Sequence, residues 1–106
     1  MIMKKYLVAA VWMLAAAGQV QADDNTQGKE LFLTGAKPIA CAVCHTLDDA
    51  GSAGAIGPNL DELKPSREQI LKVMQEGMGA MPSFAQTLSD EERQAVAGYV
   101  NSVAGQ

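Results

Sequence analysis

Cys41-Ala42-Val43-Cys44-His45 is the stretch that decides how this chain is read. Two cysteines three positions apart can each add to one vinyl group of a haem, forming two thioethers. The residue that follows then presents its imidazole to the iron from one face. One short turn of backbone thus sets ring position, orientation and proximal ligand together. Three other readings share part of the pattern. A thioredoxin-like redox pair uses the same cysteine spacing but needs a sheet ahead of a long helix, and no sheet is legible. A structural zinc site needs four ligands, whereas the chain offers two cysteines and one histidine. A plain disulfide would close a very small loop and contribute little stability. His45 directly after the pair, in a chain without other cysteines, favours haem.

The N-terminal stretch places that motif in an exported protein. Lys4 and Lys5 precede an uncharged run from Tyr6 to Ala17, and Gly18-Gln19-Val20-Gln21-Ala22 follows. This is the order of a secretory signal peptide, with cleavage expected after Ala22. A retained spanning helix would need roughly 20 apolar residues, more than this run supplies. Residues 23–106 are expected to form one cytosol-external domain of 84 residues, with six basic and twelve acidic side chains and a net charge of −6. Such a surface repels nucleic acid and suits a partner with a basic patch. Phe32, Phe84 and Tyr99 are the aromatics of this region. A core so poor in large side chains calls for a staple, and a large apolar cofactor is one.

Working outward, Asp23 to Gly35 reads as a helix with Asp24, Asn25 or Thr26 as its cap and Gly28, Leu31 and Phe32 on one face. Residues 48–57 read as a glycine-punctuated loop ending in the turn Gly57-Pro58-Asn59-Leu60, with Asn59 capping a short helical turn over 61–63. Ser66 with Gln69 forms a capping box for a helix whose stripe is Ile70, Val73 and Met74 and whose stop is Gly77. Residues 77–82 read as an irregular loop. Ser89 with Glu92 opens a last helix of about 14 residues with Val96, Tyr99, Val100 and Val103 inward. No strand pattern is evident. The expected fold is all-α, three main helices with long loops that need something to pack against.

His45 is the only histidine, so a second axial ligand must come from elsewhere. Met74 lies on the apolar stripe and reads as core. Met78 sits between glycines. Met81 precedes Pro82, which stiffens the backbone there, and is favoured as the distal ligand over Met78. An open distal site, with both methionines off the iron, is the competing reading. Pro58 has two readings: its carbonyl accepts the other ring N–H of His45, or it is a turn residue without that contact.

Taken together these residues resemble class I cytochrome c over nearly all of residues 23–106. The pieces are Gly28-x-x-x-Phe32, Cys41-Ala42-Val43-Cys44-His45, Gly57-Pro58-Asn59-Leu60, Met81-Pro82-Ser83-Phe84 and Val96-x-x-Tyr99. The resemblance implies a helical fold around one covalent haem c and its iron. It implies thioethers at Cys41 and Cys44, His45 and Met81 as axial ligands, the Pro58 carbonyl on the His45 ring, and Leu60 packed on the haem. It implies a crossing of first and last helices at Gly28, Phe32 and Tyr99. Met78 departs from the pattern by offering a second thioether nearby. The expected role is single-electron transfer between periplasmic redox proteins, without catalysis of its own. Residues 41–47, 57–65 and 79–84 are similar to short cytochromes that accept electrons from periplasmic sulfite dehydrogenases. Related carriers serve a terminal oxidase or another cytochrome. A haem subunit held permanently in a larger dehydrogenase, and a haem sensor or enzyme with an open distal site, are the alternatives.

Overall fold

The computed structural model of the chain describes residues 21–106. The leader expected over residues 1–22 therefore lies, apart from Gln21 and Ala22, outside the described residues. Helix α1 spans Gln21–Glu30 and runs into one wider π-helical turn, Leu31–Gly35, closed by the Ala36 N–H on the Leu31 carbonyl. The end at Gly35 agrees with the sequence reading, but the expected cap does not. The backbone is already helical at Gln21, so positions 24–26 lie inside the helix; neither Gln21 nor Ala22 opposes helix, and nothing forces a start after them. The Asn25 side chain instead donates to Ser102 Oγ on the last helix, at 3.4 Å.

Helix α2, Cys41–Cys44, is a single turn. The region after it corrects a second expectation. Thr46–Leu47 (β1) and Ser52–Ala53 (β2) pair as a short antiparallel ladder, with Thr46 opposite Ala53 and Leu47 opposite Ser52. A 3₁₀ turn, Asp48–Ala50, joins them, and Gly51 closes it at φ +65°. Two-residue strands carry no alternation to detect, so the ladder is invisible to pattern reading. The Thr46 hydroxyl donates to the Gly54 carbonyl at 2.9 Å, which extends the same contact.

Helix α3, Leu60–Leu63, starts where Asn59 Oδ1 accepts the N–H groups of Asp61 and Glu62. Helix α4, Arg67–Glu76, opens on the Ser66/Gln69 capping box and stops at Gly77, φ +75°. Helix α5, Asp90–Val103, opens on the Ser89/Glu92 box. These local signals agree with the sequence because each is complete within four residues.

The core sits where α1 and α4 pack on α5. Phe32 and Tyr99 meet edge to face, centroids 6.1 Å apart. Gly28 lets α1 approach: a Cβ there would fall on the Ala95 carbonyl and 2.6 Å from Tyr99 Cβ. The Tyr99 hydroxyl donates to Asp49 at 2.6 Å, and Lys29 lies 3.6 Å from the same carboxylate oxygen, so the 3₁₀ turn is tied to the helix crossing. Among the described residues no helix is long and apolar enough to cross a membrane.

Candidate haem site

The single turn of α2 puts positions 41 and 44 on one side, because residues three apart on a helix share a face. Both cysteines line one cleft, while Val43 points out and is 53% exposed. His45 leaves the helix in extended geometry, φ −117° and ψ 140°, which turns its ring toward the same cleft. Burial, against the opposing pull of a backbone hydrogen bond and with a smaller push from Cys44, raises the Cys41 thiol to about 11. That direction is opposite to the lowering that activates the thiol of a thioredoxin-like pair. Among the described residues no group of three His, Cys, Asp or Glu is placed to hold a bare metal ion.

The proximal side is held by backbone. His45 Nδ1 lies 2.7 Å from the Pro58 carbonyl oxygen. That oxygen carries no proton, so Nδ1 donates, and Nε2 keeps a free lone pair for a metal. Gly57 lies flat against the ring: a Cβ there would be 2.5 Å from His45 Cε1 and 2.9 Å from Nδ1. The Gly57 N–H reaches the Cys44 carbonyl at 2.7 Å, and Ser52 Oγ donates to the His45 carbonyl at 2.9 Å. Leu60, buried at the start of α3, closes the wall beside them.

The opposite wall comes from α4 and the segment after it. Residues 77–82 are more regular than the sequence suggests. Met78 and Met81 pair across a two-residue turn, each N–H on the other's carbonyl, at 3.0 and 2.9 Å. Gly79 takes φ +58°, a position where a tight hairpin favours glycine. Both methionines line the cleft, but Met78 is 73% exposed whereas Met81 is half-buried and packs on the core. Met74 is buried, as its place on the stripe implied. Beyond Pro82, Ser83 Oγ donates to the Gln75 carbonyl and the Phe84 N–H to the Met74 carbonyl, both at 2.7 Å. These bonds fasten the Met81 segment to α4.

Arg93 is a residue the sequence reading passed over. Its guanidinium donates to the carbonyls of Ala85 and Leu88 and reaches that of Phe84, so one side chain satisfies the turn behind the methionine segment. A cation in the first turns of a helix runs against the helix dipole, and that anomaly was the available signal.

The cleft encloses about 530 Å³, within the range of small-molecule and cofactor sites. Cys41, Cys44, His45, Pro58, Leu60 and Met81 all line it. Apart from His45, its charged or amide side chains are Gln69, Lys72 and Glu76, all on α4, with Lys72 3.3 Å from Glu76. A large apolar slot with two thiols, an imidazole lone pair and a thioether fits haem, whose iron takes nitrogen and sulfur ligands on its two faces.

Comparison with known proteins agrees with that fit. Residues 23–100 match the family described as "Cytochrome C oxidase, cbb3-type, subunit III". The chain is 31% identical over 104 residues to chloroplastic cytochrome c6 of Chlamydomonas reinhardtii, covering 89% of this chain and 64% of that protein. It thus spans just under two thirds of that relative's length. It is 36% identical over 87 residues to cytochrome c6 of Tetradesmus obliquus, covering 73% and 88%. Among solved structures, the c-type cytochrome SorU from Sinorhizobium meliloti superposes with a TM-score of 0.76 at 48% identity, covering 81% of this chain and 97% of that one. The chain belongs to this cytochrome c family: it is a monohaem class I cytochrome c, an electron carrier with covalently bound haem c and its iron.

Proposed function

We infer that Cys41 and Cys44 carry the two thioethers, that His45 Nε2 and the Met81 thioether take the two faces of the iron, and that the chain relays single electrons between periplasmic proteins. The observation that carries this reading is the meeting of all four side chains in one cleft, with the His45 ring proton already committed to Pro58. Bound haem supplies a one-electron couple at its iron. His45, held in one tautomer, presents a fixed lone pair. Met81 offers a thioether, a ligand that favours the ferrous state relative to a second nitrogen. The apolar walls formed by Phe32, Ile70, Phe84 and Val96 disfavour the extra charge of the ferric state.

For the donor, we favour a periplasmic sulfite dehydrogenase. Support comes from the likeness of residues 57–65 and 79–84 to the short cytochromes of such enzymes. A terminal oxidase or another cytochrome is the expected acceptor. Docking between such proteins is small in area and salt-sensitive, and the acidic balance of residues 23–106 suits a basic patch on the partner. The leader over residues 1–22 would deliver the chain to that compartment.

The test of ligation is the ferric absorption spectrum of the exported protein. The weak band of methionine-sulfur ligation should vanish in Met81→Ala and survive in Met78→Ala. The reverse pattern would move the ligand to Met78. Its absence from wild type would favour an open distal site. For the donor, sulfite added with a catalytic amount of the dehydrogenase should reduce the ferric protein, and failure to do so refutes that partner.

A further inference from the structure

The contacts on the proximal side share one offset. Cys44 bonds to Gly57, His45 to Pro58 and Asp48 to Asp61, so each partner lies 13 residues further along the chain. Segments 44–48 and 57–61 therefore run side by side in parallel, with the His45–Pro58 bond flanked by a rung on either side. The upper rung is backbone to backbone, Gly57 N–H to Cys44 carbonyl at 2.7 Å. The lower rung is a carboxylate: the Asp48 N–H donates to Asp61 Oδ2 at 2.8 Å. The second oxygen, Oδ1, accepts the Gly105 N–H at 2.8 Å, so the same side chain also gathers the C-terminal turn. These two N–H groups, Gly105 first and Asp48 second, hold the Asp61 carboxyl below the usual range.

We propose that Asp61 is a positioning residue for the proximal ligand, holding Pro58 at hydrogen-bond distance from the His45 ring by pinning segment 57–61 to segment 44–48. The inference rests on His45 being that ligand. An imidazole that donates firmly to a carbonyl is a more basic ligand and favours the ferric state. Pro58 has no N–H and is exposed, so its own backbone gives it little hold. The upper rung holds the chain on the N-terminal side of the Pro58 carbonyl, and the lower rung, through Asp61, is what holds it on the C-terminal side. Releasing the lower rung lengthens the His45–Pro58 bond, lowers the basicity of the ring and raises the midpoint potential.

The test compares Asp61→Asn with Asp61→Ala in the haem-loaded protein. Both remove the same charge, but only asparagine keeps an acceptor oxygen, for one of the two N–H groups that Asp61 serves; protection of the Asp48 amide in the same spectra identifies the variant in which the Asp48 rung is kept, and the comparison is made on that basis. The readouts are the midpoint potential and the solvent exchange of the His45 Nδ1 proton by NMR. The Ala variant should have the higher potential of the two and exchange that proton about tenfold faster, as loss of a hydrogen bond allows. Equal potentials and equal exchange in the two variants would reduce Asp61 to a surface charge and overturn the proposal, even if both melt earlier. Should the Ala protein fail to accumulate, Asp61→Leu repeats the comparison with the γ-branched shape kept and no acceptor. A wild type lacking the ferric sulfur band, or carrying no haem, refutes the ligation reading instead; a retained band with equal shifts refutes only the role of Asp61.

Discussion

Gly57→Ala tests whether the proximal ring is held by contact with a bare backbone. The added Cβ would lie 2.5 Å from His45 Cε1, 2.9 Å from Nδ1 and 3.0 Å from Nε2. Carbon atoms rest at about 3.5–4.0 Å, so ring or backbone must give by about 1 Å. Neither is free to do so. The Gly57 N–H is on the Cys44 carbonyl and the ring is on the Pro58 carbonyl, both at 2.7 Å. Forcing one methyl into a packed site costs about 1–3 kcal/mol. Losing the ring's hydrogen bond costs a further ~1–3 kcal/mol where the carbonyl stays unpaired. The two are not additive, since breaking the bond is what relieves the clash; Pro58 is also exposed to water. A loss of about 2–3 kcal/mol is expected. For a domain of this size that lowers the melting temperature by about 10–20 °C. Gly51→Ala is the matched control. Its site at φ +65° has nothing within 4 Å, so only the backbone conformation is penalised, by about 1–2 kcal/mol. Thermal melts of the ferric protein, followed by far-UV dichroism and by the haem band together, read both effects. If Gly57→Ala melts no earlier than Gly51→Ala and keeps its ligand band, the ring does not depend on that contact.

Three further outcomes follow from the same geometry. The double change Cys41→Ala with Cys44→Ala should yield an unfolded or degraded chain: without haem the apolar walls of the cleft lie open to water, and a domain with so small a core has little stability to lose, so a cooperative melt without haem would contradict this. Burial first, and then the bond to Asp49, raise the Tyr99 hydroxyl above its ordinary value of 10.0, so the stability it lends is intact below that pH and lost as pH climbs through the higher folded-state value; Tyr99→Phe should flatten this alkaline loss in denaturant titrations across pH. Lys72, the one cation on the described cleft wall, favours the ferrous state by disfavouring added positive charge, so Lys72→Met should lower the midpoint potential whereas Lys37→Met, outside the wall, should leave it nearly unchanged.

What the sequence disclosed and what it hid divide along a physical line. Both capping boxes, the Asn59 cap and the stop at Gly77 are local, each complete within a few residues, and all are present. So is the spacing of Cys41, Cys44 and His45, which one helical turn converts into a shared face. The β1–β2 ladder and the Arg93 contacts escaped notice because each is defined by a partner outside the local pattern, whereas the Met78–Met81 pair is local but was masked by Gly77, Gly79 and Pro82, which make the stretch read as irregular. The helix start escaped for the opposite reason: residues 24–26 can cap, but the backbone is already helical at Gln21.

The choice between the two methionines shows how such nonlocal contacts bear on function. Pro82 singled out Met81 by stiffening one backbone angle, yet one fixed φ does not aim a side chain. The aim comes from three groups around it, two of them later in the same motif, and from their partners on α4. Ser83 Oγ and the Phe84 N–H grip the last turn of α4, and Gly77 lets the Met81 carbonyl approach where a Cβ would sit 2.9 Å away. Met78 has the same thioether and belongs to the same hairpin, but it precedes the grip and stands 73% exposed. Ordering its side chain toward the cleft would cost rotamer entropy that Met81 has largely lost already through packing. The preference for Met81 therefore resides in the fastening of residues 83 and 84 as much as in the methionine. Ser83→Ala should weaken the ferric sulfur band while leaving the haem attached.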